Sequence, residues 1–96
     1  MEASNSWFVI INPYSGNKAF KRKKQLILDG LKQLNSEYSI HYTEYSKHET
    51  LLVEQGIEQG YRKFISVGGD GTLHHVVNGV MIHGNSCLKD IKIGVN

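Results

Sequence analysis

Hydrophobic and polar residues follow each other along this chain in two rhythms. Trp7-Phe8-Val9-Ile10-Ile11 is a continuous, partly β-branched apolar run that Asn12-Pro13 stops. Such a run predicts a strand buried on both faces. From Lys18 to Asn35 the apolar residues Phe20, Ile27, Leu31 and Leu34 are spaced by 7, 4 and 3 positions, which is one face of a helix. Gly30 inside that helix costs about 1 kcal/mol relative to alanine. Tyr38 to Thr43 alternates, as an edge or half-exposed strand does, with Tyr38 and Tyr42 on the face that packs on a helix. Ser46-Lys47-His48-Glu49 matches a capping box, in which serine hydroxyl and glutamate carboxylate each take the other residue's backbone N–H. The helix it opens is predicted to reach Gln59, end at Gly60 and bury Leu52, Val53 and Ile57. Phe64-Ile65-Ser66-Val67 predicts a second fully buried strand. Thr72 to His83 predicts a helix with the apolar stripe Leu73, Val76, Val77, Val80 and Met81, closed by a C-cap at Gly84. Ile91 to Val95 is a last alternating strand.

The order βαβαβαβ predicts an α/β fold, an open parallel sheet with helices on both faces. The first and third strands, apolar throughout, belong in the middle, and the alternating second and fourth belong outside. The resulting order, 2-1-3-4, sets the loops after the first and third strands side by side. Open α/β sheets bind ligands at such a switch point, beyond the carboxyl ends of the strands.

Composition narrows the class further. The 96 residues allow one modest domain, and 40% hydrophobic with 21% charged residues is ordinary for a globular chain. A formal charge of +2 is too mild to argue for a nucleic-acid partner. Lys18, Lys21, Arg22, Lys23 and Lys24 do cluster, either to meet phosphate or anionic lipid or simply as a solvated helix face. A lone cysteine, Cys87, excludes an intrachain disulfide. No apolar run approaches the ~20 residues that span a bilayer, and Met1 to Ser6 lacks the features of a signal peptide. A cytoplasmic protein, or one peripheral at a membrane, is expected.

Both loops at the expected switch point are unusual. Val67-Gly68-Gly69-Asp70-Gly71-Thr72-Leu73 follows a buried strand and opens a helix. Its glycines remove the Cβ atoms that would hold an anion away from backbone N–H groups. The helix N-terminus beyond adds roughly half a positive charge. Thr72 offers a hydroxyl to a phosphate. Asp70 could hold Mg²⁺ through water or accept a proton from a hydroxyl under phosphorylation; the plainer reading is a glycine-rich turn with Asp70 as helix N-cap. In the other loop, Asn12-Pro13-Tyr14-Ser15-Gly16-Asn17, proline sets φ, glycine permits a tight turn, and polar groups stand near a helix start. It lacks the Gly-Lys-Ser/Thr ending of a Walker A loop, and its glycines do not fit the dinucleotide fingerprint.

Asn12-Pro13-x-Ser15-Gly16, with Gly68-Gly69-Asp70-Gly71-Thr72 about fifty residues on, resembles the catalytic domain of diacylglycerol kinases, including bacterial lipid kinases and, with variation, sphingosine kinases. The resemblance covers essentially the whole chain and includes Thr43 and the stretch Leu73-His74-His75-Val76-Val77-Asn78-Gly79. It implies an ATP site lined by Asn12, Pro13, Tyr14, Ser15, Gly16, Thr43, Gly69, Asp70, Gly71, Thr72, Leu73, His74 and His75. ATP and Mg²⁺ are implied with it, as is Asp70 as the catalytic candidate near the transferred phosphoryl group. Many relatives have glutamate where this chain has His75, so that carboxylate's contact is not carried over. Residues 1–96 would be the N-terminal nucleotide-binding portion. In such kinases a further glycine-rich segment and a β-rich second domain complete the nucleotide and lipid sites, so this portion is expected to be inactive alone. The implied function is transfer of the ATP γ-phosphate to a lipid hydroxyl, that of diacylglycerol or similar. Alternatives are a non-catalytic nucleotide-binding regulatory module, or a soluble-substrate kinase such as an NAD kinase. NAD kinases and phosphofructokinases share the Gly-Gly-Asp-Gly loop but not the Asn-Pro-x-Ser-Gly loop. Exposed sheet edge and apolar surface are expected to favour self-association.

Single residues add little. His74 and His75, adjacent on a helix, point about 100° apart and do not chelate one metal as an i, i+4 pair would; no metal site within the chain is expected. His41, His48 and His83 are expected to be solvated, and Trp7 and Phe8 to belong to the core.

Overall fold

The computed structural model describes residues 5–13, 19–33, 36–84 and 91–95. Tyr14, Ser15, Gly16, Asn17, Lys18, Leu34 and Cys87 lie outside the described residues, as does the side chain of Phe20. The chain runs β1 (Trp7–Ile11), α1 (Ala19–Lys32), β2 (Tyr38–Tyr42), α2 (His48–Glu58), β3 (Lys63–Val67), α3 (Asp70–His83) and β4 (Lys92–Val95). The four strands form one sheet in the order β2-β1-β3-β4, and every neighbouring pair is parallel. The fold is the expected open α/β sheet.

Right-handed crossovers explain where the helices lie. The chain steps from β1 to β2 in one direction, then crosses back over β1 to β3 and on to β4. Reversing direction changes the face, so α1 covers one side and α2 with α3 the other. Strand alternation feeds both sides at once. Val9, Ile11, Ile65 and Val67 pack with Ile27 and Leu31 of α1. Phe8, Ile10 and Phe64 pack with Leu52 and Val53 of α2 and Val76 and Val80 of α3. This two-sided burial is why β1 is apolar along its length and β3 is apolar at Phe64, Ile65 and Val67.

Gly56 and Gly79 set how closely α2 approaches its neighbours. A Cβ on Gly56 would stand 2.8 Å from Phe64 Cε1, and one on Gly79 would stand 3.1 Å from Val53 Cβ and 3.2 Å from Thr50 Cα. The end of α2 is closed by Gly60 N–H donating to Ile57 O at 3.0 Å and Tyr61 N–H to Gly56 O at 2.9 Å, a Schellman arrangement.

Several expectations need correction. The capping box does not form. Lys47, at φ 66, is the N-cap of α2 and makes no side-chain capping bond; this left-handed turn separates Ser46 from the helix start. The turn is closed instead by Glu44 N–H donating to His48 Nδ1 at 2.9 Å and His48 N–H donating to Tyr45 O at 3.2 Å. Asp70 is not a cap either, since α3 starts at Asp70, with Gly69 as its N-cap. The buried stripe of α3 is Thr72, Val76, Gly79 and Val80, while Val77 and Met81 are exposed, because α2 and the sheet touch only one narrow face. Tyr38 packs beside α1, but Tyr42 at the strand end is exposed.

The three scattered histidines all have partners. His41 stacks on Phe8 at 3.9 Å between ring centroids, and its Nε2 lies 2.9 Å from Ser39 Oγ. Burial there holds the imidazole below its ordinary pKa. His48 accepts the Glu44 N–H and lies against Tyr45, while His83 Nε2 is 3.7 Å from Glu54 Oε2.

Candidate functional site

The carboxyl ends of the strands are tied together one residue past the ladder. Asn12 N–H donates to Val67 O and Thr43 N–H to Ile11 O, each at 2.9 Å. These bonds bring the exits of β1, β2 and β3 to one place. There the N-termini of α2 and α3 converge on a cleft of ≈ 350 Å³, within the range of small-molecule sites. Asn12, Thr43, Gly68, Gly71, Thr72 and His75 form one wall and the floor. Tyr45, Ser46, Lys47 and Glu49 form the other.

The turn from β3 to α3 is built on two glycines in conformations that side chains resist, Gly68 at φ 150 and Gly69 at φ 115. It aims the start of α3 at the cleft, where its free N–H groups and partial positive charge favour an anion. A Cβ on Gly69 or Gly71 would meet nothing within 4 Å. Space at Gly71 is therefore open on the cleft side, not filled by the protein's own packing. Thr72 is 3% exposed, and its Oγ1 has no hydrogen-bond partner among the described residues. A buried hydroxyl left unpaired costs about 1–3 kcal/mol. Ser66 Oγ is a second unpaired buried hydroxyl, but it does not line the cleft, and nothing in the structure explains it.

Of the residues singled out from sequence, Asn12, Thr43, Gly71, Thr72 and His75 line the cleft. Gly69 is exposed in the adjoining turn and Asp70 at the first position of α3, Leu73 is half-buried in α3, and His74 is exposed. The rings of His74 and His75 are 5.5 Å apart. Pro13 is half-buried just beyond β1, and Tyr14, Ser15 and Gly16 lie outside the described residues. Sequence reasoning missed Tyr45, Ser46, Lys47 and Glu49 as cleft residues. The order 2-1-3-4 contained the signal, because β2 beside β1 forces the turn after β2 to flank the same site.

The structure thus defines an α/β domain with a glycine-lined cleft at its switch point, and sequence comparison gives the family. The family model for the diacylglycerol kinase catalytic domain matches residues 6–95. This chain belongs to the diacylglycerol kinase catalytic domain family. It is 40% identical over 72 residues to a diacylglycerol kinase of Staphylococcus haemolyticus, covering 75% of this chain and 22% of the relative. It is 36% identical over 87 residues to one of Staphylococcus carnosus, covering 91% of this chain and 27% of the relative. With one of Staphylococcus aureus it shares 40% over 72 residues, 75% of this chain and 23% of the relative. The chain spans about a quarter of the length of these relatives.

Proposed function

We propose that this chain is the nucleotide-binding portion of an ATP-dependent lipid kinase, which moves the γ-phosphate of ATP to the hydroxyl of diacylglycerol or a similar lipid at a membrane surface. The observation that carries the reading is the buried, unpartnered Thr72 hydroxyl at the start of α3, beside glycines whose Cβ positions are open. Phosphate oxygens would pair that hydroxyl and the free N–H groups of the helix start. Asn12 and Thr43 supply further polar groups at the ends of β1 and β2.

Asp70 is exposed at the first position of α3 and outside the cleft lining, so its charge does not occupy the phosphate cradle. In this reading its carboxylate accepts the proton of the acceptor hydroxyl. Mg²⁺, when bound, would neutralise charge on the phosphates, and Asp70 is the carboxylate of the loop that would hold it, with water completing the shell. The relatives' names support the lipid acceptor; the cleft itself speaks for phosphate and nucleotide. No helix among the described residues is long and apolar enough to cross a membrane.

The test is phosphate transfer from labelled ATP by the full-length protein, with diacylglycerol in mixed micelles, a sphingoid base and NAD as competing acceptors. Labelled phosphatidic acid, abolished by Asp70→Asn, is expected. Labelled NAD phosphate with no lipid product would overturn the proposal.

A further inference from the structure

The two ends of the cleft differ in charge, and the difference comes from a residue no motif marks. At the α3 end the helix start is lined by glycine and an unpaired hydroxyl. At the α2 end the first turn carries Glu49. Glu49 is 2% exposed and lines the cleft; its side chain makes no hydrogen bond or ion pair among the described residues, and its oxygens are not among the fully sealed, unpartnered atoms. Its oxygens keep the little water contact the cleft allows, and donors of a ligand would replace that water. Glu49 lies at a helix N-terminus, whose partial positive charge it offsets, so this end of the cleft is closed to phosphate. What it needs is neutral hydrogen-bond donors from a ligand. Lys47 is the cation of the lining, but it is exposed at the rim, where solvent and salt screen its pull.

Resting on the nucleotide reading above, we propose that Glu49 is a specificity-determining residue that accepts hydrogen bonds from the ribose hydroxyls of the nucleotide. The cleft then fixes the ligand's direction, phosphates toward Gly71 and Thr72 of α3, sugar toward Glu49 of α2. A vicinal diol offers two donors to the two oxygens of one carboxylate, and charge-assisted bonds of this kind discriminate strongly against a ligand that lacks one donor. The simpler role for Glu49 is structural, a charge complementing the α2 dipole. The two roles separate cleanly, because only the first depends on the sugar.

The experiment is a calorimetric titration of the full-length protein with ATP, 2′-deoxy-ATP and 3′-deoxy-ATP, repeated on Glu49→Gln and Glu49→Ala, with a thermal melt of each protein without ligand. The wild type is expected to prefer ATP to at least one deoxy analogue by about tenfold or more. Glu49→Ala should bind all three alike, Glu49→Gln should keep part of the preference, and the Gln variant should melt no lower than the wild type. Equal affinities in the wild type would overturn the proposal while leaving the nucleotide reading intact. So would an unchanged preference in Glu49→Ala, whatever its melting temperature. Tighter ATP binding by Glu49→Gln would overturn it too, by showing that phosphates lie against Glu49. No binding of any of the three by the folded wild type would overturn the nucleotide reading itself.

Discussion

Glycine serves opposite ends in two regions of this molecule. In the seam between α2, α3 and the sheet, Gly56 and Gly79 are absences that the protein's own atoms fill. Phe64 and Phe8 press on one, and Val53 and the Thr50 backbone on the other. At the cleft, Gly69 and Gly71 face space that nothing within 4 Å occupies. Close packing accounts for the seam. It does not account for the cleft, where Gly71 is helical and open and the fold would accept a larger residue. In the proposed reading, that space takes phosphate. Substitution should therefore damage folding in the first region and ligand binding in the second.

The largest effect is expected in the seam. Gly56→Val would drive a side chain into Phe64 and Phe8, which are 0% and 1% exposed and have no room to yield. Overpacking of that kind costs about 1–3 kcal/mol or more, enough to unfold much of a small domain, and urea titration followed by circular dichroism would measure it. A Gly56→Val chain as stable as the wild type would break the comparison on the packing side.

Thr72→Val is the next in size. It removes the unpaired hydroxyl at constant shape, so the free protein should gain about 1 kcal/mol while nucleotide affinity falls about tenfold. Ser66→Ala sharpens the point. It removes the other unpaired buried hydroxyl, away from the cleft, and should leave affinity unchanged. Equal losses of affinity in the two variants, read by calorimetry, would deny Thr72 a ligand role.

Gly30→Ala is the control for glycine that does neither job. Gly30 is exposed in α1, and a Cβ there meets nothing within 4 Å. The change should raise stability by up to about 1 kcal/mol through helix propensity alone, seen as a higher melting temperature, with nucleotide affinity untouched.

The smallest effect is a pH dependence at the β2 edge. Burial lowers the pKa of His41 in the folded chain from its ordinary 6.5. Between the lowered value and 6.5 the unfolded chain binds more protons, so stability falls as pH drops through that window and then levels. His41→Phe should flatten the profile in a denaturant series across pH, and an unchanged slope would show that another group titrates.

Long-range order was legible in the sequence because burial on both faces leaves a trace in composition. Trp7 to Ile11 is apolar at successive positions and Phe64 to Val67 is so except at Ser66, and that put β1 and β3 in the centre. Glycine signalled the α3 end of the cleft for a similarly direct reason. The α2 end was hidden. Ser46 and Glu49 satisfy a capping pattern that binds them to each other on paper, whereas the left-handed Lys47 displaces Ser46 and leaves Glu49 on the cleft wall. No glycine marks that turn. The stacking of His41 on Phe8 was hidden for another reason: it comes from the register that sets Phe8 opposite Ser39 and Ile10 opposite His41, a pairing between segments far apart in sequence.

The central claim is that the open space at Gly71 is a phosphate site. It is tested most directly by titrating the chain with Mg·ATP in a calorimeter beside Gly71→Val, with a melt of each. Saturable binding by the wild type, lost in a Gly71→Val chain that melts at the same temperature, is the predicted result. Equal binding by both folded proteins would contradict the account.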